Sequence, residues 1–407
     1  MSAWLQGQAW LDDPATAAVF DALEAVGGPD CARFVGGSIR NALVGRPVDD
    51  IDIATRLLPE QSMAALQAAG IKVVPTGLAH GTVTAVSNRR PHEITTLRRD
   101  VETDGRRAVV AFTDDWAGDA ARRDFRLNAL YADRTGTIFD PTGEGVTDAL
   151  AGRVVFVGDA NTRIREDYLR ILRFFRFFAW YGRSDPDAEG LTACAAHVSG
   201  LSQLSAERVS RELMKLLAAP DPRPAVRAMR DAGILAQLLP VAVDPAAFEA
   251  LVDLNDDPVL RLSALLPDDP AAVLQATRGL RLPRAVEARL TAAAQGPLDP
   301  DTQARSLRAL IYRQGAQTVR DRLIRGWARQ PDQADAARAA LSTVDTWPVP
   351  RLPVGGRELA RLGVEPGPET GRLLKAFEDG WIADDFPAAG PPDRLRALVE
   401  GSRGQTG

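Results

Sequence analysis

The sequence predicts an α+β head with a mixed sheet over roughly the first 140 residues, followed by a long all-helical remainder. Two patterns carry this. Up to about residue 140, short runs rich in β-branched residues alternate with amphipathic helical stretches. From about residue 160, nearly every segment has helical spacing, with Asp-Pro, Pro-Asp or Gly breaks between many of them. At 407 residues the chain has room for two to four domains of roughly 100–200 residues each.

Residues 12–27 open with Asp12-Asp13-Pro14, an acidic cap and a proline for a first turn, so a helix is expected there. Cys31 to Val35 reads as a short buried strand running into Gly36-Gly37. Ser38 begins a second helix that ends near Gly45, and Val48 to Ala54 forms the next strand. A helix from Pro59 to Gly70 and strands at 71–74, 81–87 and 91–97 follow. Segments 161–182, 204–218, 223–239, 246–254, 271–279, 284–294, 304–314 and 316–330 read as helices. No fixed-period repeat and no low-complexity tract stands out.

Composition narrows the function classes. With 45% hydrophobic and 25% charged residues, the chain is an ordinary globular protein, and no apolar run approaches the roughly 18 residues that span a bilayer. The start, MSAWLQGQAWLDDP, has neither a basic nor an apolar leader region, so export is not expected. Two cysteines, Cys31 and Cys194, exclude a disulfide framework and a Cys-rich zinc site and suit a reducing cytoplasm. Three histidines are too few for a His-rich metallohydrolase, so a metal would be held by oxygen ligands. The net charge of −5 argues against binding nucleic acid over the whole surface, yet Asn161 to Arg183 holds six arginines against two acids.

The candidate chemistry starts at Gly36–Thr55, GGSIRNALVGRPVDDIDIAT. Glycines let backbone amides approach a phosphate, and Arg40 follows three residues after Gly37. Asp50 and Asp52 are two apart, so on a strand both carboxylates would face one way and call for a cation between them. A pair of Mg²⁺ ions would activate a hydroxyl and neutralise leaving pyrophosphate. The stretch therefore reads as the triphosphate and metal half of a nucleotidyl-transfer site. Glu93 and Thr95 would share a face of the strand in PHEITTLRRD, with Glu93 buried and needing a partner such as those ions. In ARRDFRLNAL, Arg122 and Arg123 suit phosphates, Asp124 a ribose hydroxyl, and Asn128 lies one helical turn later. His80 and His92 read as structural.

Helix 161–182, NTRIREDYLRILRFFRFFAWYG, would place Asp167 and Arg170 side by side on one face. An acceptor beside a donor complements the amino donor and ring-nitrogen acceptor of cytosine and adenine. Uracil and guanine present the reverse order and would be rejected. Arg173 and Arg176 extend the cationic row towards triphosphate or RNA, and the aromatic residues bury the helix.

Taken together, GGSIR, DDIDIAT, HGTVTAV with HEITTLR, RRDFRLNAL and EDYLRILRFFRF, in that order over roughly residues 31–182, resemble the bacterial class II tRNA nucleotidyltransferase and poly(A) polymerase family, a branch of the polymerase-β-like superfamily. LSAERVSRELMKLL at 204–217 is similar to its next helical motif. The resemblance implies a nucleotidyltransferase head (1–145), a neck with the templating helix (146–220), a helical body (221–345) and a tail (346–407) that grips the tRNA elbow. It implies Mg²⁺ on Asp50 and Asp52, beside which Glu93, from the reading of its strand above, is expected as a third catalytic acid. Nucleotide contacts would come from Gly36, Gly37 and Arg40. Arg123, Asp124 and Asn128 match the triphosphate and ribose motif. Asp167 and Arg170 match the amino-acid template, with Arg173 and Arg176 beside it.

The implied activity is addition of C and A from CTP and ATP to the tRNA 3′ end, in the cytoplasm, with no membrane and no protein partner. LPVGGRELARLGVEPGPETGRLLKAF at 352–377 is similar to the family's tail element, and its turn at 363–367 could offer N–H groups to phosphate. Asn41 stands where the family usually has Asp, and Arg126 where Thr is common; both leave local geometry open. A poly(A) polymerase, CC-only and A-only enzymes, and a non-catalytic RNA-binding protein remain as alternatives. The closing PPDRLRALVEGSRGQTG, with no long basic tail, disfavours the first.

Overall fold

The computed structural model describes residue 5 and residues 7–104, 107–241 and 244–403, with side chains described outside 100–110 and 403. The outermost parts of the opening and closing stretches, 1–4 and 404–407, lie outside the described residues. Two units are present, Met1–Pro240 and Val241–Gly407, so the expected 221–345 segment straddles their division.

The first unit begins with α1 (Pro14–Gly27), where Asp13 caps the Ala15 amide and Pro14 holds the first turn. Then come β1 (Ala32–Val35), α2 (Gly37–Leu43), β2 (Asp52–Thr55), α3 (Pro59–Ala68), β3 (Lys72–Gly77), β4 (Thr82–Ser87) and β5 (Arg90–Thr96). A hairpin, β6 (Arg98–Asp104) and β7 (Arg107–Phe112), forms a separate two-stranded sheet that the sequence patterns did not reveal. α4 (Trp116–Ala121), β8 (Tyr131–Ala132), β9 (Ile138–Phe139) and α5 (Gly145–Ala151) complete the head.

The main sheet runs β3-β4-β5-β2-β1-β8-β9. It is mixed, as expected: β2 and β5 are parallel, while the other neighbouring pairs are antiparallel. α1 and α3 bury Val19, Phe20, Leu23 and Leu66 against Phe34, Ile53, Val83 and Ile94, which anchors one sheet face.

Beyond the sheet lie α6 (Ala160–Glu166), α7 (Leu169–Tyr181), α8 (Ala188–Ala196), α9 (Ala206–Leu217), α10 (Arg223–Asp231) and α11 (Ile234–Leu238). The single helix expected over 161–182 is therefore two. Asp167 is extended, at φ −155° and ψ 105°, and breaks the run. α7 is clamped to the head by Phe125, Phe156, Phe174 and Phe177, with Phe156 and Phe174 stacked 5.6 Å apart.

The second unit is helical throughout its described residues: α12 (Pro245–Val252), α13 (Pro258–Leu265), α14 (Pro270–Gly279), α15 (Arg284–Ala293), α16 (Ala304–Gln314), α17 (Ala316–Arg329), α18 (Ala334–Thr346), α19 (Gly356–Arg361), α20 (Pro368–Ala383) and α21 (Pro391–Arg403). The Asp-Pro breaks are helix starts: Asp244, Asp257 and Asp269 each cap the helix whose first residue is the following proline. Leu359, Leu373, Phe377, Trp381 and Leu395 knit α19, α20 and α21 into one core.

Candidate active site

The strand β1 ends at Val35, and the chain turns sharply into α2. Gly36 sits at φ +71°, a region that favours glycine, and its amide donates to the Leu130 carbonyl at 3.0 Å. A side chain there would meet the Asn128 carbonyl at 3.4 Å and the Arg123 guanidinium at 3.7 Å. α2 has only seven residues, so positive potential at this turn owes more to Arg40 and Arg123 than to a helix dipole.

Asp52 opens β2 and pairs in register with Glu93 on the parallel β5. Along β5, His92, Ile94 and Thr96 are buried while Glu93 and Thr95 share the opposite face. Two expectations need correction. β2 starts at Asp52, so Asp50 lies in the irregular segment before it and does not alternate with Asp52 on a strand. Glu93 is exposed rather than buried: on its face of β5, Thr95 is only half-buried and full burial begins at Leu97, which packs against Trp116 and Ala120 of α4.

Electrostatics still joins the three acids. Burial, then the charges of Glu93 and Asp50, push the Asp52 carboxyl up to about 6, against the opposing pull of Arg123 and Arg40. Among the described residues no three Asp, Glu, His or Cys side chains by themselves form a metal cage. Mg²⁺ commonly takes one or two carboxylates and completes its shell with substrate phosphate oxygens and water. Asp50 and Asp52 fit such a partial donor set, in an acid cluster short of positive charge.

A polar chain runs from this turn to α7. Arg40, only 8% exposed, donates to Asn128 Oδ1. Asn128 Nδ2 donates to Asp124 Oδ1 at 3.0 Å, and Arg173 Nε donates to Asp124 Oδ2 at 2.7 Å. Burial alone would raise the Asp124 carboxyl, but Arg173 and Asn128 outweigh it and hold it near 2. Both Asp124 oxygens are thus taken by protein donors. Arg123 donates to Asp119 at 3.0 Å and to the Tyr131 hydroxyl at 3.1 Å. Arg126, the departure from the family pattern, turns to Glu144 and Asp148.

The expected Asp167–Arg170 neighbourhood on one helical face does not form, because the chain is extended at Asp167. Asp167 accepts from the Leu169 amide at 3.1 Å and pairs with Arg208 on α9 at 2.7 Å. Arg170 pairs with Glu166 at 2.5 Å and donates to the Arg122 carbonyl at 3.1 Å. Arg176 lies 2.8 Å from Glu212, also on α9, and 4.3 Å from the Phe177 ring centre.

Arg208 and Glu212 join the site although no sequence motif marks them as site residues. They sit one turn apart in LSAERVSRELMKLL, and that spacing was the available signal. A cavity of about 350 Å³ opens beside them, lined by Arg40, Arg176, Phe177, Trp180, Tyr181 and Lys215. His92 is buried, with Nε2 3.0 Å from Thr16 Oγ1, a structural placement.

A mixed sheet presenting acids beside a glycine turn, with arginines leading to a helix, is the build of a nucleotidyltransferase head. Residues 32–155 match the family model described as "Poly A polymerase head domain", and 186–244 match "Probable RNA and SrmB- binding site of polymerase A". The chain is 34% identical over 371 residues to the human mitochondrial CCA tRNA nucleotidyltransferase 1, covering 86% of this chain and 82% of that one. It is 33% identical over 377 residues to the Streptococcus sanguinis CCA-adding enzyme, covering 88% and 91%. The crystal structure of the Bacillus stearothermophilus CCA-adding enzyme in complex with CTP superposes with a TM-score of 0.76 at 26% identity, over 97% and 99% of the two chains. The chain belongs to the CCA-adding enzyme and poly(A) polymerase family.

Proposed function

We propose that the protein is a CCA-adding tRNA nucleotidyltransferase, transferring CMP and AMP from CTP and ATP to the tRNA 3′ end with release of pyrophosphate and without a nucleic-acid template. The observation that carries this reading is the unbroken chain of polar contacts from the glycine turn through Arg40, Asn128 and Asp124 to Arg173 on α7. It joins the acid-bearing central strands of the sheet to a helix that begins beside a partly exposed carboxylate–guanidinium pair, Asp167 and Arg208. Likeness to CCA-adding enzymes along nearly the whole chain supports it.

Asp50 and Asp52 would hold Mg²⁺, which when bound supplies charge neutralisation at the α-phosphate and the leaving pyrophosphate. Glu93, on the strand beside Asp52, adds negative charge that strengthens the cation site. Gly36 and Gly37 admit the triphosphate close to the backbone, and Arg40, Arg123, Arg173 and Arg176 surround it with positive charge. Asp124 and Asn128 order these arginines. Asp167 and Arg170 select the base; Arg208 and Glu166 hold them until a base edge competes for the same polar atoms. The head (1–145) and neck (146–220) carry the chemistry. The body (221–345) and tail (346–407) hold the tRNA, with the 363–367 turn facing phosphate. Two free, buried cysteines suit a reducing cytoplasm.

The test is incubation of the purified protein and Mg²⁺ with tRNA lacking its terminus plus labelled CTP, ATP or both. Addition of CCA is expected. Long A tails, CC alone, A alone or no product would select the poly(A) polymerase, the two partial enzymes or a non-catalytic RNA-binding protein. Asp52→Ala is expected to abolish incorporation with the fold intact, and retained turnover overturns the metal assignment.

A further inference from the structure

Arg40 is a buried guanidinium whose side-chain partners are all neutral. It donates to Asn128 Oδ1, to Asn41 Oδ1 from Nε at 3.3 Å and Nη2 at 3.1 Å, and from Nη2 to the Tyr181 hydroxyl at 2.9 Å. Its guanidinium lies 4.3 Å from the Tyr181 ring centre and 5.1 Å from that of Phe177. The carboxylate next in the chain, Asp124, is already paired with Arg173. A buried cation whose hydrogen bonds all go to neutral groups is only partly compensated by carboxylates at a distance, so the pocket favours an entering anion. The positive charge remains available to a ligand.

Tyr181 is the last residue of α7, and Asn41 lies in α2, 140 residues earlier. The Tyr181 hydroxyl accepts from Arg40 and donates to Asn41 Oδ1 at 2.9 Å. The amide of Asn41 works in both directions. Its oxygen faces Arg40 and Tyr181, and its Nδ2 donates to the Pro47 carbonyl at 2.9 Å, inside the segment that runs into Asp50 and Asp52. A carboxylate at position 41 has no proton for Pro47 and would pair ionically with Arg40. The amide found here supplies that donor and leaves the charge of Arg40 unspent.

We propose that Tyr181 and Asn41 are positioning residues that hold Arg40 and the 46–51 segment for the nucleotide's triphosphate, with Asn41 keeping the Arg40 charge free for that ligand. This rests on the nucleotide-transfer reading above. Because the anion is common to all nucleotides, both residues act on affinity for CTP and ATP alike and leave the choice of base untouched.

The experiment compares the full-length wild type with Tyr181→Phe and Asn41→Asp. It measures equilibrium binding of CTP and of ATP without tRNA, steady-state kcat and KM for each nucleotide, and thermal midpoints. Tyr181→Phe keeps the ring and loses the hydroxyl, and Asn41→Asp neutralises Arg40. Each is expected to weaken binding of both nucleotides by about five- to tenfold and raise KM to match, with kcat within about twofold. Unchanged affinity in both variants overturns the proposal, as does a lowered thermal midpoint with unchanged affinity, which would assign a structural role. A shifted CTP-to-ATP ratio also overturns it by placing Tyr181 in base selection. If the wild type binds both nucleotides but transfers neither, the functional reading fails separately while the binding comparison still decides this one.

Discussion

Asp167 and Arg170 take different protein partners, Arg208 and Glu166, and this separates their roles under substitution. Arg170→Ala is expected to relax base choice by about tenfold or more, since a lost donor leaves a buried polar edge unpaired. The measurement is the ratio of kcat/KM for CTP and ATP over UTP and GTP, and a uniform loss of tRNA affinity in its place would contradict the templating role. Arg208→Ala removes a partner from Asp167 where both side chains are about 30% exposed, so stability is expected to change by less than about 1 kcal/mol. Discrimination should nevertheless fall, because Asp167 loses the charge that holds its carboxylate. Arg208 was hard to single out from sequence because an Arg on an amphipathic helix usually meets solvent; only the packing of α9 beside α7 gives it Asp167.

At the level of elements, the break between α6 and α7 decides how the site is shaped. A continuous helix would have put Asp167 and Arg170 on one face; the extended residue at 167 turns the carboxylate towards α9 instead. The break is backed by Gly200, where an added methyl group would overlap the Tyr168 ring. Gly200→Ala should therefore displace Tyr168 and the start of α7, costing about 1–3 kcal/mol in a denaturant titration and lowering kcat/KM for both nucleotides. Wild-type stability and activity in that variant would show that the break tolerates movement. The start of β2 has the same character. Val48 to Ala54 has strand-like spacing, but Asn41 Nδ2 binds the Pro47 carbonyl, and the chain joins the sheet only at Asp52.

On the scale of the whole molecule, acid sensitivity follows from the charges buried under the head. Asp119 is 1% exposed; burial would raise its carboxyl, but Arg123, Arg122 and the Tyr131 hydroxyl outweigh that and hold it at about 2. Because the folded value lies below the unfolded one of 3.8, its contribution is full above that pH and is lost as pH falls towards 2. The amount is about 2 kcal/mol. Asp119→Asn should flatten this part of the stability profile between pH 5 and about pH 2, read by denaturant titration at each pH; an unchanged slope would show that other carboxylates carry the acid transition.

The glycine turn, the order of strands and helices as far as β5, the helical nature of the remainder and the family itself were legible in the chain, whereas the β6–β7 hairpin and the short elements after it were not. Gly36-Gly37, the Asp-Pro helix starts and the period-two pattern of β5 are local signals, set by backbone sterics, capping and alternation. The partners of Asp167, Arg170 and Arg40, the exposure of Glu93 and the bridge from Tyr181 to Asn41 were not legible. Each depends on residues tens of positions apart meeting across α2, α7, α9 and the sheet, and a long charged side chain takes whichever partner packing brings within reach. Local spacing therefore specified which chemistry the chain holds, while long-range packing specified which charge faces which, and so where an incoming anion finds a cation not already neutralised.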